Sequence, residues 1–450
     1  MPKPLWDKGE RVDERMRRLT VGDDPVLDLE LVPFDCLGSA AHARMLSSIG
    51  VLTTDEADRL VHALDEIIQR WRKGDFVIAP EEEDCHTAIE RELTRLLGKA
   101  GQKIHAGRSR NDQVLLALRL YLRHRALRWQ DQLCSLADTL LARHDELGSV
   151  PMPGYTHLQP AMPSSVGLWL HAFVEGALDL VRQGFRLLDA LEECPLGSGA
   201  GFGVPLPIDR ALTARLLGFT RAQRSVVDIQ NSRGRQEGRF LAWACEIASL
   251  FEKFAWDVSL FLTREFGFFR LPVELTTGSS IMPQKHNPDL AELLRARAAR
   301  VRGAAAELAL VTAKLPSNYH RDLQYTKEPL FRGVRETEAM MEMAELLAQG
   351  IQPVEERMRA AMTDDLYVTY RAYRLLGEGM PFREAYREAA RLAAEGAVDV
   401  DALRADFEII RLRSEREREE AEAELSALRA KRDALVERFD QVERELMGGA

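Results

Sequence analysis

Gly278-Ser279-Ser280-Ile281-Met282-Pro283-Gln284-Lys285-His286-Asn287-Pro288-Asp289 sets two hydroxyls, an ammonium and an amide in one loop, with a glycine at its start and a proline near its end. Such a loop aims backbone N–H groups and small polar side chains at one anion. Pro288 has the fixed φ that suits the first turn of a helix. Asp289 to Ala313 then runs without proline and reads as that helix. A polar surface loop capping a helix is the plainer alternative, and Gly-Ser-Ser or Lys-x-Asn alone would not displace it.

Long helical patterns recur on both sides of this loop. Val114 to Leu147 carries apolar residues at helical spacing, with Asn111 or Asp112 as candidate N-cap and Gly148 as its stop. At 1.5 Å per residue that helix is about 50 Å long. Ser164 to Glu193, a segment within Val226 to Phe266, and Glu328 to Leu347 are further long helices. Helices of this length predict an elongated bundle. The connections are Pro151 to Tyr155, Pro195 to Pro207, Gly267 to Pro288 and Pro316 to Thr326, the second of them glycine-rich and expected to be flexible. Only Asp75 to Ile78 and Ser225 to Ile229 read as strands. From Leu403 onward the chain is dense in Arg and Glu. There Leu425, Leu428, Leu435, Phe439, Val442 and Leu446 recur at three- and four-residue steps, with Arg432 breaking the seam. This predicts a short amphipathic helix or coiled-coil segment, packed on its own domain or offered to a partner.

At 450 residues the chain exceeds the size at which one core stops growing, so two or three domains are expected. Hydrophobic content of 46% with 29% charged residues fits a soluble globular protein. A net charge of −10 argues against general nucleic-acid binding. No apolar run approaches a membrane span, and the N-terminal stretch lacks the apolar core of a secretory signal. The five cysteines, Cys36, Cys85, Cys134, Cys194 and Cys245, are odd in number and form no C-x-x-C pair. That predicts reduced thiols in a cytoplasmic protein rather than disulfides or a zinc site.

Four further stretches carry chemistry. His105-Ala106-Gly107-Arg108-Ser109-Arg110-Asn111-Asp112-Gln113 puts two guanidiniums before a long helix. Arginine grips carboxylates in bidentate fashion, and a helix N-terminus favours anions, so this stretch suits a dicarboxylate. Two exposed arginines beside a helix cap is the competing reading. In Pro153-Gly154-Tyr155-Thr156-His157-Leu158-Gln159-Pro160-Ala161 a histidine lies inside a proline-bounded loop. Histidine carries protons near neutral pH, although a lone one is more often structural. Glu83-Asp84-Cys85-His86-Thr87 reads as a helix start with acidic residues at its head. Leu315-Pro316-Ser317-Asn318-Tyr319-His320-Arg321-Asp322-Leu323-Gln324, followed by Lys327, is a polar connector. The histidines lack metal-ligand spacing, and no nucleotide-binding loop is present.

The 278–289 stretch closely resembles the GSSxMPxKxNP signature of the aspartase/fumarase superfamily, whose members cleave a C–N or C–O bond β to a carboxylate and release fumarate. The other four are similar to the HxGRSRND, GYTHLQ, EDxHT and LPSxYxxDLQxxK elements of its argininosuccinate lyase branch. Leu37 to Leu46, Leu196 to Ala200 and Gly379 to Arg383 match further family elements, all in family order from about Phe34 to Phe382. The resemblance implies a mainly α, three-domain fold with a long central helical bundle. Its parts would be an N-terminal helical domain at 1–107, a central bundle at 108–355 and a C-terminal helical domain at 356–450 that ends in the charged amphipathic tail. It further implies a homotetramer with a twenty-helix core, in which each site draws residues from three chains.

The implied reaction is the reversible β-elimination of argininosuccinate to L-arginine and fumarate, the last step of arginine biosynthesis, with neither metal nor cofactor. By the resemblance, Ser279 is the general base. Lys285 and Asn287 stabilise the doubly charged aci-carboxylate formed when the proton leaves. His157 acts as acid or positioning residue, held by Glu292 one helical turn beyond the loop. His86 contributes to the site, and Arg108, Ser109, Asn111 and Thr156 bind the succinyl carboxylates. Tyr319, Gln324 and Lys327 hold the arginine end. Serine is a poor base at neutral pH and needs nearby positive charge or loop dipoles, of which the sequence gives no sign.

The chain departs from the family in four places. Only Leu5-Trp6 answers to the usual N-terminal Trp-Gly-Gly-Arg-Phe. The acidic segment after Asn231-Ser232 is replaced by Arg233-Gly234-Arg235-Gln236-Glu237-Gly238-Arg239. His286 stands where a second lysine is common, and the charged tail replaces the usual C-terminal region. Two other readings stay open on the sequence: a different fumarate-releasing lyase, acting on adenylosuccinate, aspartate or malate, and a non-catalytic protein that keeps the fold.

Overall fold

A computed structural model describes residues 13–448; Leu5 and Trp6 lie outside the described residues. The longest central helix spans Arg110–Leu147, 38 residues. Its cap is Ser109, not Asn111 or Asp112. The Ser109 hydroxyl accepts the Asn111 N–H at 3.3 Å, and Asp112 Oδ1 accepts the Ser109 N–H at 2.9 Å. This is a reciprocal capping box, in which the acidic residue belongs three positions after the cap. The helix stops at Gly148, as the sequence predicts.

Val166–Ala190 packs lengthwise against this helix, and Arg235–Phe261, Asp289–Thr312 and Lys327–Gly350 pack on one another beside it. The long helix expected within Val226 to Phe266 is Arg235–Phe261, and a short helix, Val226–Asn231, precedes it. Gly234 separates them at φ +83°, a conformation in which a Cβ would also strike the Thr312 side chain. Trp129, Phe240 and Trp243 fill the centre, with the Trp129 ring 4.5 Å from Phe240 and 5.3 Å from Trp243. Aromatic pairs at such spacings add attraction beyond the area they bury.

Neither expected strand forms. Asp75 to Ile78 is irregular, and Ser225 instead caps a helix, its hydroxyl accepting the Asp228 N–H at 3.2 Å. The cap outweighs the β preference of Val226, Val227 and Ile229. The main hairpin arises where the prolines suggested a mere break: Pro151–Thr156 pairs antiparallel with Gln159–Ser165, and Pro153 faces Pro163. In a two-stranded ribbon each strand is an edge, so prolines can turn their missing donors outward.

The Pro195 to Pro207 loop is tied down rather than flexible at its start. Gly197 and Gly199 donate their N–H groups to Asp112 Oδ2 at 3.1 and 2.8 Å, and Gln230 Nε2 donates to the buried Ser198 hydroxyl at 3.0 Å. The tail is not a short helix either. It runs from Val400 to Met447, 48 residues, and lies along Arg110–Leu147 and Val166–Ala190. Ala421, Leu425, Phe439 and Leu446 join the main hydrophobic core. Arg432, which breaks the apolar seam, pairs with Asp131 on the Arg110–Leu147 helix at 2.7 Å. Leu366, Tyr367, Tyr370, Val400, Leu403 and Phe407 form a second, smaller cluster.

Candidate active site

One cavity of about 140 Å³ gathers three of the stretches singled out in the sequence. Asp84 and His86 reach it from the head of the Cys85–Leu97 helix, and Arg110 and Asn111 from the first turn of the central helix. Tyr319, Arg321, Gln324 and Lys327 line it from the connector before the Lys327–Gly350 helix. Val114 of the central helix adds an apolar wall, and Asp24 and Arg233 complete the lining. Neither position stood out in the sequence as an acid or base for this site. Asp24 has no motif around it, and Arg233 belongs to the segment that departs from the family.

The cavity wall is a set of buried charge pairs. Lys327 Nζ lies 2.6 Å from Asp28 Oδ1 and 3.1 Å from Asp24 Oδ2. Burial alone would lower the lysine, but the two carboxylates outweigh it and hold its pKa above the ordinary value. Burial pushes the Asp24 carboxyl up to about 6 against the pull of Lys327. Arg110 donates to both oxygens of Asp84, at 2.6 and 2.5 Å. That pairing, with His86 and Thr87, overcomes burial and keeps Asp84 well below the usual carboxylate range. Arg110 is therefore a partner of Asp84, not a free guanidinium for the substrate. Arg233 lies 3.4 Å from Glu237.

His86 is 4% exposed, with Nδ1 2.9 Å from Asp35 Oδ1 and a buried Nε2 that meets no partner. Burial opposes its charge, yet Asp35, Asp84 and Asp28 raise its pKa above that of free histidine. Nε2–H is thus a donor waiting for an acceptor. Asp28, Cys85 and His86 bring ligand-type atoms within 4.8 Å of one another. Asp28 already receives Lys327 and the Cys85 N–H, and the His86 Nδ1 faces Asp35, so the group is a charge network rather than an open metal cage.

The other expected residues, apart from Gln324 at the cavity wall, lie elsewhere. Arg108 donates to the Ser39 hydroxyl at 2.8 Å and keeps a buried, unpartnered Nε. Ser109 is occupied as the helix cap. Gln324 Nε2 donates to the Thr20 and Val21 carbonyls, both at 3.0 Å. Thr156 and His157 sit at the exposed tip of the hairpin, where His157 and Leu158 have φ of +55° and +59°. A two-residue turn with both φ positive is the type I′ geometry that suits strand twist, usually with Asn or Gly. Holding a histidine there stores strain, which is commonest at functional positions.

The signature segment is an exposed loop pinched at its neck. Thr277 and Asn287 exchange backbone hydrogen bonds at 3.1 and 2.8 Å, and Asn287 Nδ2 donates to the Gly278 carbonyl at 3.2 Å. Ser279 Oγ accepts the N–H groups of Ile281 and Met282 at 3.4 and 3.2 Å. These are loop dipoles of the kind a serine base needs, because hydrogen bonds to the charged form favour it. Lys285 and Glu292 are exposed. Among the described residues no hydrogen bond or ion pair joins His157 to Glu292, and none ties the hairpin tip or the signature loop to the cavity. One chain therefore assembles the His86 cavity but leaves His157 and Ser279 on separate exposed projections.

A sequence model for a family described as lyase matches residues 10–303. The argininosuccinate lyase of Sorangium cellulosum is 47% identical over 402 residues, covering 88% of this chain and 93% of that protein. That of Thermotoga neapolitana is 39% identical over 87% of this chain and 98% of its own length. Among solved structures, an EDDS lyase in complex with formate has a TM-score of 0.82 at 21% identity, covering 98% of this chain and 96% of its own. A class II fumarase from Schistosoma mansoni has a TM-score of 0.68 at 18% identity, covering 89% and 93%. Both structures bear on the fold alone, which is the mainly α lyase fold. With signature loop, RSRND stretch and connector in place, and with this identity across most of its length, the chain belongs to the argininosuccinate lyase family of the aspartase/fumarase superfamily.

Proposed function

We propose that the protein catalyses the reversible β-elimination of argininosuccinate to L-arginine and fumarate, in the cytoplasm and as a homotetramer with shared active sites. The observation that carries this reading is the cavity where the EDCHT, RSRND and connector stretches converge, with the unpartnered His86 Nε2 on its wall. Its volume of about 140 Å³ is too small for a whole substrate, since sites for such ligands run to about 300 Å³ or more. It fits one end of argininosuccinate. The exposed hairpin tip and signature loop are suited to complete the site from other copies.

In the proposed mechanism Ser279, supported by the Ile281 and Met282 N–H groups, removes the proton next to the succinyl carboxylate. Lys285 stabilises the aci-carboxylate, with Asn287 fixing the loop neck around it. The C–N bond then breaks, the electron pair leaves with the guanidinium of arginine, and fumarate remains. His157, oriented by Glu292 of another copy, supplies the proton to the leaving nitrogen. Arg108, Ser109, Asn111 and Thr156 frame the succinyl end, while Tyr319, Gln324 and Lys327 frame the arginine end. The test is fumarate release, read by ultraviolet absorbance, with argininosuccinate, adenylosuccinate, aspartate and malate offered separately. Release from argininosuccinate alone is expected; release from another substrate, or from none, overturns the reading.

A further inference from the structure

A cavity of about 570 Å³ lies beneath the end of the tail helix and shares no lining residue with the His86 cavity. Cavities of this size take small molecules. Phe34 and Leu37 of the Val32–Ser48 helix, Ile68 and Trp71 of the Thr54–Arg72 helix, and Met447 of the tail give it apolar walls. Trp71 Nε1 donates to the Leu29 carbonyl at 2.7 Å, and the His124 ring of the central helix lies 5.8 Å from that of Phe34, so the aromatic walls are held in place. Asp440, Glu443 and Met447 stand three and four positions apart and share one face of the tail helix. That face lines the cavity, beside the stripe of Phe439 and Leu446 that joins the core.

The charges around these walls do not balance. Three carboxylates, Asp65, Asp440 and Glu443, line the cavity with two guanidiniums, Arg72 and Arg444. Arg444 is held by Glu437 at 3.1 Å, and Asp65 accepts only the Gln69 amide, at 3.3 Å. Burial, with Arg125 and Arg128 beside it, holds His124 below the ordinary histidine value, so at neutral pH it offers a ring and no charge. Among the described residues no hydrogen bond or ion pair reaches Asp440 or the half-buried Glu443. Arg123 and Arg72 act on Glu443 only from beyond ion-pair distance, and burial still pushes its carboxyl up. Partly buried carboxylates ordinarily have a cationic partner, and this pair has none. Aromatic walls add to the attraction for a cation, through their ring faces.

We propose that this cavity is a second ligand site, which takes an organic monocation: an ammonium or guanidinium on an apolar body, the head paired with Glu443 and Asp440 and the body against Phe34, Ile68 and Trp71. The tail helix that supplies both carboxylates belongs to the region where the chain departs from its family, so the site is a property of this chain's own C-terminus. It does not depend on which substrate the His86 cavity takes.

The test is titration calorimetry on the full-length protein with three probes that share an indole body and differ in the head: tryptamine, tryptophol and indole-3-propionate. Wild type is expected to bind tryptamine at least about tenfold more tightly than tryptophol, the worth of one hydrogen bond to a charged group, and indole-3-propionate most weakly. Glu443→Gln should erase most of that preference while binding tryptophol as wild type does. Asp440→Asn, at an exposed position, serves if the first variant does not fold, and the wild-type comparison stands without either. His86→Ala should bind tryptamine as wild type does; lost binding there would assign the cation to the His86 cavity and overturn the proposal. Wild type that does not bind tryptamine, or that binds the neutral or anionic probe as tightly, overturns it too, as does a preference that survives in both carboxylate variants.

Discussion

Lys327 Nζ and Asp28 Oδ1 lie 2.6 Å apart, both residues buried, although 299 positions separate them in the chain. The pair fastens the N-terminal segment to the head of the Lys327–Gly350 helix and forms the floor of the cavity. Asp24 leans on the same ammonium from one helical turn earlier. One cation thus pairs with two carboxylates, one sealed and one facing the cavity.

Lys327→Met should destabilise the fold by about 3–5 kcal/mol, because it leaves two carboxylates buried without a cation. The sign with pH follows from the shifts. The Lys327 pKa is raised, so its stabilisation is fully present below the ordinary lysine range, throughout pH 5 to 8. Asp24 titrates near 6 even with the lysine present, and its carboxyl rises further without that cation. The loss is therefore largest at pH 8 and shrinks toward pH 5 as Asp24 protonates. Thermal melts of both proteins at pH 5, 6 and 8 check this; a gap independent of pH contradicts it.

Ser279→Ala should lower kcat at least about a hundredfold, the low end for losing a positioned general base. The hydroxyl accepts only the Ile281 and Met282 N–H groups of its own exposed loop, so fold and assembly should survive. Steady-state fumarate release alongside size-exclusion chromatography reads both. Near-wild-type turnover would remove Ser279 from the base role.

The Asp112 carboxylate holds Gly197 and Gly199 while also completing the helix cap at Ser109. Burial pushes it up to about 6 even against these three donors. Asp112→Ala orphans buried N–H groups at about 1–3 kcal/mol each. The variant should melt earlier and be cut by protease first within 195–207. An intact 195–207 segment under limited proteolysis would show that the loop does not depend on Asp112.

Helices were legible because their apolar spacing and stop signals are local: Gly148 ends one, and the residues after Pro288 begin another. The hairpin was not, because Pro151, Pro153, Pro160 and Pro163 hide a strand pair that only its edge position permits. The motifs located the cavity residues His86, Asn111, Tyr319, Gln324 and Lys327, since each lies in a distinctive stretch. They could not show that Arg110 is consumed by Asp84, or that Asp24, Asp28 and Asp35 surround the site. Those are pairings across long sequence separations, set by packing rather than by any local pattern.

The tail helix yields the last prediction. Phe439 is 5% exposed, and its ring lies 4.0 Å from the Arg123 guanidinium, which has Phe219 on another side at 4.9 Å. Arg123 is itself buried and donates to the Leu217 carbonyl at 3.0 Å. Burial lowers its pKa to about 10, so it remains charged at neutral pH, and the ring faces contribute directly to holding that charge. Phe439→Ala removes core volume and one face of this sandwich together, which should destabilise by about 3–5 kcal/mol. Phe439→Tyr keeps the ring face and should be milder if its hydroxyl reaches solvent beside the half-exposed Arg438. Deleting residues 411–450 removes Ala421, Leu425, Phe439 and Leu446 from the core at once and should lower the melting temperature further still. Differential scanning calorimetry of the three variants orders them; a deletion that melts like wild type would mean that the helix lies on the bundle without stabilising it.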